Sequence, residues 1–152
     1  MSLCVQGPNE GIVLPVLDVR LTPHTAISIG DVVAMNASVQ TVNSVAVPAL
    51  YLTAAIADGT EVAASDNTGI IAVALEAIAS GEVGLFRLRG LVNAAHDATV
   101  AIGGSLAPKT GALNLTAVVA GTKCVAQSVE ARSGAGLALV MFDGINGFGF
   151  GI

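Results

Sequence analysis

The chain has 152 residues, of which 53% are hydrophobic and only 11% are charged, and its formal net charge is −5. With a mean hydropathy of +0.78, it has too few charged groups to cover a free subunit, so we expect much of its surface to lie against other protein. No Lys or Arg occurs between Arg20 and Arg87, and a protein that neutralises phosphates needs clustered basic residues. The composition argues against nucleic-acid binding and indicates one domain of an oligomer or shell.

Insertion into a membrane is also disfavoured. The longest nearly uncharged apolar run, Val45–Ala57, contains Pro48 and falls short of the roughly 20 residues that a spanning helix needs. A membrane β-barrel would need girdles of aromatic residues, whereas the chain has no Trp, one Tyr and four Phe. The N-terminal sequence lacks the basic and apolar regions of a signal peptide. The two cysteines, Cys4 and Cys124, lie far apart in a predicted tail and a predicted strand, so we expect both to be reduced.

Residues 1–20 are predicted to form an extended arm. Gly7, Pro8, Gly11 and Pro15 interrupt regular backbone pairing in this segment. A frayed terminus is the alternative, but disordered tails are usually poorer in apolar residues than this one, which favours an arm that packs on a partner. The arm residues expected to make those contacts are Leu3, Val5, Ile12, Leu14 and Leu17.

The rest of the chain, residues 21–152, contains one hairpin pattern twice. Gly69–Gly90 and Gly121–Gly144 both open with Gly, pass through Val-Ala and Glu-Ala, turn at Ser-Gly and continue through apolar residues to a closing Gly. Two β-rich runs around a Ser-Gly turn are typical of a hairpin with a loop of about three to five residues. The repetition predicts a symmetric scaffold, here a mostly β fold that forms a small, tulip-like β-barrel from two hairpin halves.

The duplication extends upstream of the hairpins, because Ile29-Gly30-Asp31 is echoed by Ile102-Gly103-Gly104. The two halves then run from about residue 22 to 90 and from about 93 to 144, and we expect an approximate two-fold axis between them. The first half is longer because of an insertion at about residues 35–67. Within the insertion, an Asp-Gly turn between apolar runs predicts one further hairpin.

The strand Gly84–Arg89 indicates which side of the sheet faces the core. Its residues alternate, so Phe86 and Leu88 face inwards while Arg87 and Arg89 face away. The two arginines either bind acidic residues of a partner or belong to a solvated strand face, and the solvated face is the preferred interpretation because exposed pairs contribute little.

The equivalent strand of the second half, Leu137–Phe142, is apolar on both faces. We expect the core to cover one face and a neighbouring subunit the other, which makes Leu137 and Leu139 candidate contact residues. The C-terminal sequence GINGFGFGI places Phe148 and Phe150 on one side of a ribbon. That ribbon either lies on a partner or covers the edge of its own barrel.

The chain offers no arrangement typical of catalysis. Its two histidines, His24 and His96, are not accompanied by a Gly-x-Ser-x-Gly elbow, and no pair of Cys or His has zinc-like spacing. Asp58, Glu61 and Asp66 lack the ordered spacing of a calcium loop, and no helix is predicted after the glycine-rich tail to hold a phosphate. We therefore predict a protein that is not an enzyme and that binds no metal or cofactor.

The order of glycine turns and apolar strands between about residues 25 and 142 follows a known pattern. Its segments are Ile29–Val33, Ile78–Gly81, Gly90, Leu106–Leu113, Ala120–Ala126 and Ser133-Gly134. In this order of turns the chain resembles the small decoration, or cement, proteins of tailed-bacteriophage capsids. The insertion at about residues 35–67 and the Gly-Phe tail depart from that family's pattern.

The resemblance implies a compact barrel that is made in the host cytoplasm, forms a homotrimer on the capsid exterior and ties major capsid proteins together. The composition agrees with this role, because a shell subunit needs excess apolar surface and multiplies weak contacts through the lattice. A carbohydrate- or receptor-binding β-module of a tail fibre or adhesin is the alternative. Sugar sites usually offer exposed aromatic residues, of which this chain has few.

Overall fold

The computed structural model describes residues 16–23, 25–36, 40–42, 45–47, 53–56, 70–109 and 112–149. The regular structure within these ranges consists of β-strands. In chain order the strands are β1 (Leu17–Pro23), β2 (Val32–Asn36), β3 (Gln40–Val42), β4 (Val45–Val47), β5 (Thr53–Ile56), β6 (Ile70–Ala74), β7 (Gly84–His96), β8 (Ser105–Pro108), β9 (Leu115–Ala117), β10 (Ala126–Ser128) and β11 (Gly136–Asp143). The predicted fold class, a mostly β barrel, is confirmed.

The strand pairings close two five-stranded barrels that share β7. The first barrel has the order β1-β5-β2-β6-β7 and closes through the pairing of β1 with β7. The second barrel has the order β7-β11-β10-β8-β9 and closes through the pairing of β7 with β9. β7 serves both barrels because it is 13 residues long, so its N-terminal part can pair with β1 and its C-terminal part with β11.

The two barrels repeat the same strand register. Val33 lies opposite Ala72 in the first barrel, and Leu106 lies opposite Ala126 in the second. One parallel pairing occurs at the corresponding place in each barrel, β1 with β5 and β7 with β9. The predicted duplication is therefore present in the fold: the elements β1, β2, β5, β6 and the N-terminal part of β7 are repeated by the C-terminal part of β7, β8, β9, β10 and β11.

The same turn geometry recurs at equivalent places in the two halves. The N–H of Gly30 donates to the carbonyl of Ala74 at 2.9 Å, and the N–H of Gly103 donates to that of Ser128 at 2.7 Å. The φ angles of these glycines are 85° and 75°, in the region that side chains with a Cβ disfavour. This requirement explains why the Ile-Gly sequence is repeated.

Apolar side chains fill both barrels. The first barrel encloses the buried residues Leu21, Ile27, Val33, Ala72, Ala74, Ile78, Phe86 and Leu88. The second encloses Ala94, Val100, Leu106, Leu115, Ala126, Ala138, Val140 and Phe142. The same buried cluster also contains Val32, Ala34, Ile71 and Val73, from the opposite face of β2 and β6. The first barrel therefore packs the outer face of these two strands against the second barrel.

The first barrel begins earlier than the predicted arm boundary. Residues Leu17 to Leu21 pair with β7 in antiparallel register, so residues 17–20 belong to the sheet and not to the arm. Asp18 lies opposite Arg87 in that register, and this cross-strand pair helps to hold β1 in place. The arm contact residues Leu3, Val5, Ile12 and Leu14 lie outside the described residues.

Both predicted hairpins are present, as β6–β7 and β10–β11, but their loops exceed the predicted three to five residues. The loops comprise residues 75–83 and 129–135. They are longer because each makes a β-bridge to the segment before β2 or β8, which requires extra chain. These bridges are Ile27–Ile78 and Val100–Arg132.

The insertion contributes one strand to the first barrel. β5 pairs with β2 in antiparallel register and with β1 in parallel register, and β3 and β4 form a separate two-stranded sheet. The predicted turn at Asp58-Gly59 lies outside the described residues.

Candidate interaction surface

The outer face of the β7–β11 pair carries apolar side chains that reach solvent. Its three cross-strand pairs, Leu91–Met141, Asn93–Leu139 and Ala95–Leu137, form what we call the β7–β11 face. The residues that alternate with them, Val92, Ala94, Ala138 and Val140, are buried. Because neighbouring residues of a strand point to opposite faces, the three pairs face outwards, and Leu137 is 41% exposed.

The turn before β2 packs against one end of this face. The N–H of Ala95 donates to the carbonyl of Gly30 at 2.8 Å, and a Cβ added to Gly30 would overlap the Cδ2 atom of Leu137. Gly30 therefore permits a close approach of the turn to β11 that another residue would block. The neighbouring Ile29 remains 55% exposed and extends the apolar surface.

This contact shows that the expected two-fold axis between the halves is wrong. The counterparts of Gly30 and Ala95 in the repeat are Gly103 and Thr22, and a two-fold axis would bring that pair together as well. A Cβ added to Gly103 would meet no atom within 4 Å. The halves therefore contact each other through two different surfaces, an arrangement called heterologous.

A shallow depression lies where the two halves meet. Its volume is about 240 Å³, and its lining includes Ile29, Leu75, Arg87, Leu91, Asn93 and Leu139. The lining is mostly apolar, and its polar side chains are the amide of Asn93 and the guanidinium of Arg87, which forms an ion pair with Asp18. This composition suits the docking of an apolar side chain from another protein better than the binding of a charged ligand.

Ion pairs within the chain take up both arginines of the outer face. Arg87 donates from Nε and Nη2 to the two carboxylate oxygens of Asp18, at 2.8 and 3.0 Å, and from Nη1 to the carbonyl of Leu91 at 2.6 Å. Arg89 lies beside Asp143, with 3.3 Å between Nε and Oδ2. The hydrogen bonds that Arg87 donates to Asp18 raise the pKa of Arg87. The side chains of Arg87 and Arg89 are 22% and 31% exposed, so they lie on a partly solvated face and pair with acids of their own chain.

The C-terminal ribbon pairs with its own barrel over the part that the structure describes. The N–H of Phe148 donates to the carbonyl of Cys124 at 2.7 Å, and the N–H of Cys124 donates to the carbonyl of Gly149 at 2.8 Å. The ring of Phe148 is nevertheless 43% exposed. Phe150 lies outside the described residues.

The candidate contact residues thus fall at different places. Leu137 and Leu139 share the β7–β11 face, Leu17 lies opposite Arg89 in the β1–β7 register, and Phe148 lies beyond the other end of β11. The sequence interpretation missed Leu91 and Met141. The sequence did carry a signal for Leu91. Outward-facing and buried residues alternate along the whole of β7, and Leu91 precedes the buried Val92.

Two of the histidines and cysteines, His96 and Cys124, belong to the part of the chain that the structure describes, whereas Cys4 and His24 do not. His96 is buried, and its Nδ1 lies 2.6 Å from the carbonyl oxygen of Ala98. Cys124 is a buried free thiol. In the described ranges, no group of three or more His, Cys, Asp or Glu side chains is placed to hold a metal ion. A search of the same residues finds no helix long and apolar enough to cross a membrane.

Comparisons with known proteins give a structural match. No family model matches the sequence, and no curated protein does so either. Among solved structures, the chain is similar to the N base of the head fiber protein gp8.5 of bacteriophage phi29. The TM-score is 0.57 at 9% identity, over 87% of this chain and 98% of that chain. At this identity the similarity shows a common fold.

Proposed function

We propose that this chain is a structural protein of a bacteriophage virion that binds the outside of the capsid as a homotrimer and ties major capsid proteins together. The observation that carries the proposal is the shared fold with a head fiber base, which extends over 98% of that chain. Because a fold alone does not determine a function, the assignment also rests on the surface of this chain and on its resemblance to capsid decoration proteins.

The part of the β7–β11 face that the first half leaves exposed supplies the contact with the capsid. Leu91 and Leu137 reach solvent there, and Arg87, at its edge, is already neutralised by Asp18. An apolar face without free charge binds another protein by excluding water, at about 25 cal/mol per Å² of apolar area. A single such contact is weak after the cost of association.

A trimer on a lattice turns such weak contacts into stable attachment. Each subunit that is already held by its neighbours binds the capsid at a high effective concentration, so several modest contacts multiply. Protein that binds the assembled shell and not its free subunits also stabilises the shell by mass action. No chemical step is needed for this role.

The proposal is tested by adding the purified chain to empty capsids of the cognate phage that lack it. We expect the chain to co-sediment with the capsids and to raise the temperature at which they disrupt. The variant Leu91→Asp should bind less tightly because it places a charge at an exposed position of the β7–β11 face, while Ser133→Asp adds the same charge in an exposed loop and should bind normally. Failure of the wild-type chain to bind these capsids would overturn the proposal.

A further inference from the structure

The contact between the two halves leaves one surface unused on each half. In the first half, the used surface consists of Ile29 and Gly30, from the turn before β2, and of Leu75, the residue after β6. In the second half, the used surface is formed by strand residues, and it contains Asn93, Ala95, Leu137 and Leu139. Because the contact is heterologous, the repeat counterparts of both surfaces are left over.

We name the two unused surfaces by their structure. The turn face belongs to the second barrel and consists of Ile102, Gly103 and Val129, the counterparts of Ile29, Gly30 and Leu75. The strand face belongs to the first barrel and consists of Arg20, Thr22, Val83 and Leu85, the counterparts of Asn93, Ala95, Leu137 and Leu139.

Both unused faces expose apolar side chains. On the turn face, Ile102 is 73% exposed and Val129 is 41% exposed, whereas Leu75, the counterpart of Val129, packs against the core cluster. On the strand face, Val83 is 62% exposed. The space around Gly103 is open, whereas the corresponding space beside Gly30 is occupied by Leu137 and Asn93.

We propose that a second copy of this chain binds here head to tail, with its strand face against the turn face of the first copy. The contact between two copies then resembles the contact between the two halves of one chain. This inference rests on the homo-oligomer of the proposed function but not on attachment to a capsid. A heterologous contact is the kind that a three-fold ring requires, since each copy contributes one face of each type.

The contact between copies is weaker than the contact between halves. Ser105 and Gln127 are exposed at the positions where the first half has buried Val32 and Val73. The intermolecular surface therefore has a polar centre between its apolar residues, the reverse of the usual apolar core and polar rim. We expect a weak contact, which a ring strengthens because each copy makes two such contacts.

The test is sedimentation velocity of the full chain across a concentration series in the micromolar range. Ile102→Asp and Val83→Asp each place a charge on one face, and each should raise the dissociation constant at least about tenfold. Val119→Asp makes the same kind of change at a residue that is 62% exposed and belongs to neither face, and it should leave association unchanged. Circular dichroism should show that all three variants keep the β fold, because the substituted side chains are exposed.

An equimolar mixture of Ile102→Asp and Val83→Asp gives the decisive result. Each variant retains the face that the other has lost, so the mixture should form a dimer through one intact contact, although each variant alone is monomeric. A mixture that stays monomeric, or variants that associate as the wild type does, would overturn the head-to-tail contact. A wild-type chain that binds capsids but does not self-associate would overturn this inference and leave capsid attachment standing.

Discussion

Glu76 and Glu130 hold equivalent positions in the two halves and make the same hydrogen bond. The Oε1 atom of Glu76 accepts from the backbone N–H of Leu85 at 2.9 Å, and that of Glu130 accepts from the N–H of Leu139 at 2.7 Å. Each carboxylate therefore ties its long hairpin loop to the strand that follows. This shared role explains why the Glu-Ala pair occurs in both copies of the sequence pattern.

Replacing Glu76 should test this role in the first half. Glu76→Ala removes the acceptor for the N–H of Leu85, and we expect it to lower the free energy of unfolding by about 0.5–1.5 kcal/mol. Glu76→Gln keeps an acceptor oxygen and should lose less. Urea denaturation followed by circular dichroism measures both, and equal stability of the Ala variant and the wild type would contradict the assignment.

The stabilising effect of Glu130 should depend on pH. Hydrogen bonds from the N–H of Leu139 and then from Arg132 lower the pKa of Glu130 below its usual value of 4.5. A carboxyl whose pKa is lower in the folded state stabilises the fold above its unfolded pKa, and this contribution is lost as the pH falls through the folded pKa.

The measurement compares the wild type with Glu130→Gln by denaturation between neutral pH and pH values below the usual carboxyl range. The stability advantage of the wild type should be greatest at neutral pH and should disappear in acid. An advantage that grows as the pH falls would contradict the sign of this effect.

Gly144 should be intolerant of any side chain. Its carbonyl accepts from the N–H of Ile71, and its N–H donates to the carbonyl of Leu88, both at 2.9 Å, so it joins β6 and β7 of the first barrel. A Cβ at this position would overlap the carbonyl oxygen of Ile71, which is backbone and cannot rotate away. We expect Gly144→Ala to cost roughly 3 kcal/mol or more.

Gly134→Ala is the matched control for that substitution. Gly134 has a φ of 75°, and a Cβ there would meet nothing within 4 Å, so its cost is confined to the backbone conformation, about 1–2 kcal/mol. Hydrogen exchange at the amide of Ile71 should accelerate only in the Gly144 variant. Equal losses of stability in the two variants would show that the close contact between Gly144 and Ile71 does not determine the cost of a side chain at position 144.

The Asp18–Arg87 pair can be exchanged for its counterpart in the second half. At the equivalent positions, Leu91 lies opposite Met141. Arg87→Met alone leaves Asp18 without its partner, and Asp18→Leu alone leaves Arg87 unpaired. The double variant copies the apolar pair and should recover part of the loss.

A double-mutant cycle measures this coupling. We expect about 1 kcal/mol, near the upper end for surface pairs, because the pair is bidentate and its side chains are only 22% and 26% exposed. Additive effects of the two single substitutions would show that the ion pair contributes nothing.

Deleting residues 2–14 should remove the arm without affecting the barrel. The deletion leaves β1 and its pairing with β7 intact, so we expect an unchanged circular-dichroism spectrum and cooperative unfolding. Capsid binding should weaken, because the sequence predicts that the apolar residues of the arm pack on a partner. If the truncated protein binds and stabilises capsids as well as the full chain does, the arm does not contribute to attachment.

The features predicted correctly from the sequence are those set by neighbouring residues. The repeated Ile-Gly turns, the two hairpins and the alternation around Phe86 and Leu88 each leave a local mark in the sequence. Because these marks occur twice, the duplicated β fold could be predicted. The arm boundary was wrong because an apolar strand such as β1 and an apolar arm have similar composition.

The sequence by itself determined the two hairpins, the glycine turns and their repetition, because these depend on backbone conformation and on side chains a few residues apart. The tertiary structure alone decided that β7 is shared by two barrels, that Arg87 pairs with Asp18, and that the halves meet through unlike surfaces. A period of two residues specifies which side of a strand is buried but not which distant strand lies beside it. That choice is made when the whole chain packs, as Gly30 against Leu137 shows.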